Sequence, residues 1–189
     1  MAAEIDDVRV RLQRAALELF QEHGYDRTTA AEIAARAGVT ERTFFRKYPD
    51  KREVLFDGEA ALGSALTEAI TAAPAGLDPL GTLLHAFDAT VPLLEANRPF
   101  SEPWYAVVRS TPALHERELA KGAALIGLLA AALKARGVAD LPASLAARIG
   151  MDAFTLATTA WLEDPHLRLR ERLSTTWSEL QTLFACTGG

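Results

Sequence analysis

Helix-forming residues run through almost the whole chain, and signals that end helices recur at short intervals. Alanine, leucine, arginine and glutamate dominate the 189 residues, and no segment alternates apolar with polar residues as a half-buried strand would. Glycine and proline interrupt the helix-forming stretches, for example at Gly24, Gly38, Pro74 and Gly137. We therefore predict an all-α fold with about nine helices and no strand.

Two short helices are predicted near the N-terminus, on either side of a glycine. Thr29 and Glu32 have the spacing of a capping box, in which a hydroxyl and a carboxylate satisfy backbone N–H groups at a helix start. This helix ends at Gly38, and Thr40 can cap a second helix over residues 41–47. Two short helices joined by a turn that contains glycine are the sequence form of a helix-turn-helix.

A second capping pattern, Asp50 with Glu53, predicts a long helix over residues 50–73. We expect this helix to link two domains. The first, residues 1–56, is a helix-turn-helix domain of three helices. The second, residues 57–189, is a larger helical domain.

The helix over residues 41–47 carries side chains that can read DNA. In a helix-turn-helix the second helix lies in the major groove. Arg42, Arg46 and Lys47 can hydrogen-bond guanine, and Thr43 can reach a base edge or a thymine methyl group. The same residues also fit an ordinary solvated helix face, so the spacing alone leaves both interpretations open.

The stretch from Arg14 to Phe56 resembles the N-terminal DNA-binding domain of TetR-family (tetracycline-repressor-like) transcriptional regulators. It departs from the family pattern where Phe45 stands in place of the usual tyrosine and Tyr48 in place of the usual phenylalanine. The positions that carry the resemblance are Leu19-Phe20, Gly24-Tyr25, Thr28-Thr29, Ile33-Ala34, Ala37-Gly38-Val39-Thr40, Thr43-Phe44-Phe45, Tyr48, Lys51 and Leu55.

The resemblance implies that some residues read bases and that others hold the phosphate backbone. Arg42 and Arg46 are candidates for base reading, whereas Phe45, Lys47 and Lys51 are candidates for backbone contact. The predicted DNA-binding residues are, in full, Thr28, Thr29, Thr40, Glu41, Arg42, Thr43, Phe45, Arg46, Lys47, Tyr48 and Lys51.

For the C-terminal region the resemblance implies a helical domain that binds a small molecule and forms a homodimer. Pockets are mostly apolar with a few polar groups. The predicted effector-binding residues are Phe87, Phe100, Trp104, Tyr105, Arg109, Phe154, Thr158 and Trp161. Two apolar stripes predict the dimer interface: Ile149, Ala153, Leu156 and Ala160, with Leu173, Trp177, Leu180 and Phe184. Core packing stays open as the alternative for each of these residues.

The net charge of −5 argues against a protein that coats DNA non-specifically. The distribution of charge along the chain is nevertheless compatible with DNA contact through one local segment. The segment from Arg36 to Arg52 holds six basic residues against two acidic ones, namely Arg36, Arg42, Arg46, Lys47, Lys51 and Arg52 against Glu41 and Asp50.

Few features of the sequence favour an enzyme. The four histidines are scattered, Cys186 is the sole cysteine, and no nucleotide-binding or nucleophile motif is present. We predict no catalytic residue, no metal and no cofactor. No apolar run reaches the ~18 residues that span a bilayer, so we expect a cytoplasmic protein without a membrane partner.

Together these patterns predict a homodimeric, ligand-responsive regulator that binds a double-stranded DNA operator. We expect a repressor, released from a palindromic operator by a small apolar or amphipathic effector, while activation remains open. The alternatives are a helical adaptor protein whose helix-turn-helix no longer touches DNA and, further off, an enzyme whose catalytic residues converge from distant positions.

Overall fold

The computed structural model of the chain describes the backbone of residues 2–185 and the side chains of residues 8–183. Over this range the chain forms nine α-helices and one 3₁₀ turn, without a strand, so the all-α prediction is confirmed. No helix in this range is long and apolar enough to cross a membrane. The elements are α1 (Ala2–His23), α2 (Ala30–Arg36), α3 (Glu41–Lys47), the 3₁₀ turn (Glu53–Phe56), α4 (Glu59–Ala72), α5 (Pro79–Ala96), α6 (Arg98–Ser110), α7 (Pro112–Ala135), α8 (Asp140–Glu163) and α9 (Leu169–Ala185).

The chain divides into two compact units, and neither is continuous in sequence. Unit 1 comprises Met1–Glu59 and Phe100–Ala120, and unit 2 comprises Ala60–Pro99 and Lys121–Gly189. The sequence predicts a single boundary near residue 56. The structure differs because a later part of the chain returns to unit 1.

The returning segment supplies part of the hydrophobic core of unit 1. Val108 and Leu114 are fully buried there, in the same cluster as Leu55 and Phe56. The Trp104 ring meets that of Phe56 edge to face at 5.8 Å, and its Nε1 donates a hydrogen bond to the Leu55 carbonyl at 2.9 Å. The N-terminal helices therefore share one core with residues 100–120.

The helix-turn-helix forms as its capping residues predict. The Thr29 hydroxyl accepts from the Glu32 N–H at 3.2 Å, and the Glu32 carboxylate accepts from the Thr29 N–H at 2.7 Å. Gly38 has a φ of +69°, a left-handed conformation that residues with a Cβ rarely adopt. The Thr40 hydroxyl accepts from the Thr43 N–H at 3.2 Å and starts α3, which has the predicted bounds.

The predicted helix over residues 50–73 is wrong in its first turns. The Asp50 carboxylate does cap a helical segment, since it accepts from the N–H groups of Arg52 and Glu53 at 2.7 and 3.2 Å. That segment is the short 3₁₀ turn, and α4 begins only after a two-residue break. Three successive residues of the turn, Val54, Leu55 and Phe56, are buried in the core of unit 1, a tertiary contact that the local capping pattern does not indicate.

Unit 2 packs α5, α8 and α9 around an aromatic cluster. The Phe87 ring stacks on that of Phe154 with 4.4 Å between the centroids and meets the Trp177 ring edge to face at 6.3 Å. Gly150 allows a close approach of α8 to α5, because a Cβ there would lie 2.8 Å from the Leu83 side chain.

Candidate DNA-binding site

Helix α3 rests on one buried anchor and exposes its basic side chains. Phe44 is fully buried, and its ring packs against those of Phe45 at 5.4 Å and Tyr48 at 5.7 Å. Arg42 and Arg46 are exposed, as are Glu41 and half of the Phe45 side chain. Within the described part of the chain, Arg42, Arg46 and Lys47 have no hydrogen-bond or ion-pair partner. Their donors are therefore available to a ligand.

Two other cations of the predicted basic segment are neutralised inside unit 1. The Arg36 guanidinium lies 2.8 Å from the Glu22 carboxylate and 3.4 Å from that of Glu18, and its hydrogen bond lowers the pKa of Glu22. The Arg52 guanidinium lies 3.0 Å from the Asp50 carboxylate. The exposed positive charge is thus more concentrated on α3 than the sequence count indicates.

The two predicted threonines before α2 differ in their surroundings. Thr28 is 1% exposed, and its hydroxyl donates to the carbonyls of Gly24 at 2.9 Å and Leu19 at 3.3 Å. Thr29 is exposed and forms the capping box with Glu32, where the Thr29 N–H lowers the pKa of the Glu32 carboxyl. Of the two hydroxyls, that of Thr29 is the one exposed at the surface.

Lys51 ties the turn after α1 to the segment after α3. Its ammonium group donates to the carbonyl oxygens of Tyr25 at 2.7 Å and Thr28 at 2.8 Å, and it lies 4.2 Å from the centre of the Tyr25 ring. Two of its three donors are therefore used within unit 1, and one remains for a phosphate oxygen.

Tyr48 is buried, and its hydroxyl has a partner that the sequence did not indicate. The hydroxyl donates to the Asp57 carboxylate at 2.9 Å, and the other oxygen of Asp57 accepts from the Arg9 guanidinium. Burial raises the pKa of Tyr48, and the hydrogen bond to Asp57 raises it further. Arg9 and Asp57 lie 48 residues apart in sequence, so no local pattern could have identified them.

Four of the predicted effector-binding residues lie in unit 2. Phe87 and Phe154 are the stacked pair of its core, and Trp161 is buried beneath the Arg98 guanidinium at 4.7 Å from the ring centre. The Thr158 hydroxyl donates to the Phe154 carbonyl at 2.9 Å. These residues are brought together, but the two aromatic rings touch each other and leave no gap between them.

The other four predicted effector-binding residues lie in unit 1. Phe100 and Trp104 pack against its core, and the Arg109 guanidinium lies over the Tyr105 ring at 5.3 Å from its centre. Two surface grooves, of about 410 Å³ beside Asp50 and about 240 Å³ beside Pro142, are lined by other residues. The effector-binding role of all eight residues stays a prediction.

The residues of the predicted dimer stripes are split between surface and core. Leu156 is 67% exposed, Ile149, Ala160 and Leu180 are half-buried, and Ala153, Leu173 and Trp177 are buried in the core of unit 2. The side chain of Phe184 lies outside the described residues. The exposed leucines of α8 are Leu141, Leu145 and Leu156, which lie within roughly 60° of one another around the helix axis.

The comparisons with known proteins agree with this geometry. Residues 12–57 match the family model described as bacterial regulatory proteins, tetR family. The HTH-type transcriptional regulator TcmR of Streptomyces glaucescens is 34% identical over 139 residues, which cover 70% of this chain. The chain spans 62% of the length of TcmR.

Solved structures share the fold over nearly the whole chain. Thermus thermophilus FadR, a TetR-family repressor solved with lauroyl-CoA, is 29% identical with a TM-score of 0.58, over 92% of this chain and 93% of FadR. SmeT of Stenotrophomonas maltophilia, solved with triclosan, is 21% identical with a TM-score of 0.61, over 91% and 90%.

An all-helical chain with a capped helix-turn-helix and an exposed basic second helix falls in the class of helix-turn-helix transcriptional regulators. Within that class, residues 12–57 carry the DNA-binding domain of the TetR family, and the chain as a whole is similar in fold to TetR-family regulators.

Proposed function

We propose that the chain is a sequence-specific DNA-binding regulator that places α3 in the major groove and acts as a ligand-responsive repressor. The observation that carries the proposal is the set of exposed side chains on α3, where Arg42 and Arg46 have no partner among the described residues. A guanidinium with free donors can bind guanine O6 and N7 in bidentate fashion. The names of the relatives favour a regulator over an enzyme.

The proposed DNA contacts fall into two groups, those to base edges and those to the sugar–phosphate backbone. Arg42 and Arg46 would read base edges, while Lys47 and the hydroxyl of Thr29 would contact phosphates. Phe45 would pack on the sugar–phosphate backbone or on a thymine methyl group, since half of its surface is exposed. For Thr28, Thr29, Tyr48 and Lys51 a phosphate contact has to coexist with internal hydrogen bonds, which for the Thr29 hydroxyl include one donated to the Glu32 carboxylate at 2.8 Å.

The functional protein would be a homodimer joined through α8 and α9. Supporting this, Leu141, Leu145 and Leu156 form an exposed row on α8, interrupted by the exposed Asp152, and burial of these leucines by a partner would stabilise the dimer. This row is rotated relative to the predicted stripe, because Ala153 faces the core. A two-fold dimer binds a palindrome whose half-sites are one helical turn, ~34 Å, or a multiple apart.

The proposed effector is a small apolar or amphipathic molecule. The lauroyl-CoA bound by FadR, a relative with 29% identity, supports this class. A ligand that enters unit 2 near Phe87 and Phe154 has to separate two rings that are stacked at 4.4 Å. Such a ligand stabilises a rearranged conformation and can shift DNA binding only by its differential affinity for the two conformations, typically ~1–3 kcal/mol.

Selection of duplexes from a random library by the full-length protein tests the proposal. We expect an enriched palindrome whose half-site spacing matches whole turns of DNA. An unenriched library, with binding that falls equally for all sequences as salt rises, would contradict sequence-specific recognition. No binding even at low salt would favour the adaptor alternative.

A further inference from the structure

Three side chains from distant parts of unit 1 meet at the C-terminal end of α3. One carboxylate oxygen of Asp57 accepts from the Tyr48 hydroxyl at 2.9 Å, and the other accepts from the Arg9 guanidinium. The guanidinium also lies 5.7 Å from the centre of the Tyr48 ring. Arg9 belongs to α1, Tyr48 ends α3, and Asp57 lies in the break between the 3₁₀ turn and α4.

Tyr48 is placed to transmit a shift of Asp57 to the residues that face DNA. Its N–H donates to the Phe44 carbonyl at 2.9 Å, which closes the last turn of α3, and its ring packs on that of Phe44. Arg46 and Lys47 immediately precede it in the chain. A rotation of Tyr48 therefore turns the end of α3 that carries these two cations.

The hydrogen bonds set a direction that apolar packing alone does not set. Apolar packing is non-directional, whereas a hydrogen bond to a carboxylate is short and directional. The side chain of Tyr48 is 3% exposed, and that of Asp57 is largely shielded, so water competes weakly for this bond.

We infer that Asp57 is a positioning residue for DNA recognition, which fixes the orientation of α3 by holding Tyr48 and Arg9 with its two carboxylate oxygens. This inference rests on the proposed DNA-binding function. The orientation of α3 affects sequence specificity more than overall affinity for DNA, because non-specific binding depends on phosphate charge and tolerates a misplaced helix.

The test uses Tyr48→Phe, which removes the hydroxyl and keeps the ring. Affinities are measured for the duplex selected by the wild-type protein and for a scrambled duplex, beside the thermal unfolding midpoint. We expect the ratio of the two affinities to fall about tenfold, the size of one hydrogen bond to a charged group, with little change for the scrambled duplex. The matched control is Tyr25→Phe, since the Tyr25 hydroxyl has no hydrogen-bond partner among the described residues, and its ratio should stay unchanged.

A second variant keeps the inference testable if Tyr48→Phe also loses stability. Asp57→Asn preserves the shape of the side chain. The double variant that combines it with Tyr48→Phe should lose no more specificity than the more affected single variant, because both changes break the same hydrogen-bond network. A lowered unfolding midpoint with an unchanged affinity ratio in both variants would reduce Asp57 to a purely structural residue and overturn the inference. Failure of the wild-type protein to select any duplex would instead overturn the proposed function.

Discussion

The ammonium group of Lys51 donates a hydrogen bond of 2.7 Å to the backbone carbonyl of Tyr25 and lies 4.2 Å from the centre of the ring of the same residue. With the second bond, to Thr28, it closes the turn that leads into α2. This contact joins the two ends of the helix-turn-helix and gives a lysine of the predicted DNA interface a structural role.

We expect Lys51→Met to lower the free energy of unfolding by about 1.5 kcal/mol, because two carbonyls lose a charged donor. Denaturant unfolding followed by circular dichroism measures the change. The salt dependence of DNA binding by the same variant separates the two roles, since loss of one phosphate contact reduces the slope by about one. Unchanged stability would show that Lys51 does not hold the turn. An unchanged salt dependence of DNA binding would show that Lys51 makes no phosphate contact.

Arg42→Ala and Arg46→Ala should each weaken binding to the selected duplex by roughly 1–3 kcal/mol and relax the preference at particular base pairs. Repeating the library selection with each variant shows which positions lose their preference. Arg14→Ala, an exposed arginine of α1, is the matched control and should select the wild-type duplex. Equal loss of affinity for all sequences would assign the two arginines to phosphates.

Leu156→Asp should convert the proposed dimer to monomers, because a carboxylate on the proposed interface has to be desolvated at a cost of about 2 kcal/mol or more. Sedimentation equilibrium measures the dissociation constant. Leu119→Asp changes a leucine of α7 that is 62% exposed, against 67% for Leu156, and should leave the dimer intact. A wild-type protein that sediments as a monomer, or equal effects of the two variants, would contradict an interface on α8.

Tyr48 makes the stability of the protein sensitive to alkaline pH. Its pKa is raised above the ordinary value of 10.0 in the folded state, first by burial and then by Asp57. The unfolded chain therefore ionises first as pH rises, and the free energy of unfolding should fall above about pH 10. Tyr48→Phe should make this decrease of the free energy of unfolding with pH smaller. Tyr25, whose pKa is also raised by burial, contributes in the same direction in the wild type and in the variant. Parallel curves for wild type and variant would contradict the assignment.

Lauroyl-CoA, used as a probe of the effector class, should release the protein from the selected duplex, and the duplex should weaken lauroyl-CoA binding by the same factor. Fluorescence anisotropy of labelled DNA and calorimetry with lauroyl-CoA measure the two affinities. Coenzyme A without the acyl chain is the control and should have no effect. Release without this reciprocity would point to surfactant action on the protein instead of a binding site.

Local sequence signals are sufficient to predict the helices of the helix-turn-helix, but they do not predict the side-chain pairings that hold these helices in place. The bounds of α3 could be predicted because Thr40 caps it within its own turn. The pairing of Arg36 with Glu18 and Glu22, and of Tyr48 with Asp57, depends on how helices cross, which no short pattern encodes.

The same limit explains the residues whose placement differs from the expectation. The position of Trp104 in the chain predicts a place in the C-terminal domain, yet α6 returns to pack it against Phe56. Leu173 and Trp177 form an apolar stripe that fits an interface and a core equally well, and in the structure it packs inside unit 2.

The discontinuity of unit 1 restricts how DNA specificity can be exchanged between relatives. A chimera with a single crossover near residue 57 would carry Leu55 and Phe56 without the segment that buries them. It would also carry Glu53 without the Arg117 guanidinium, which donates a hydrogen bond to the Glu53 carboxylate at 2.9 Å. A chimera that exchanges unit 1 as a whole has to include residues 100–120 as well, with crossovers on both sides of that segment. Replacing the outward side chains of α3 alone leaves the shared core intact and is the simpler route to a regulator with a new operator.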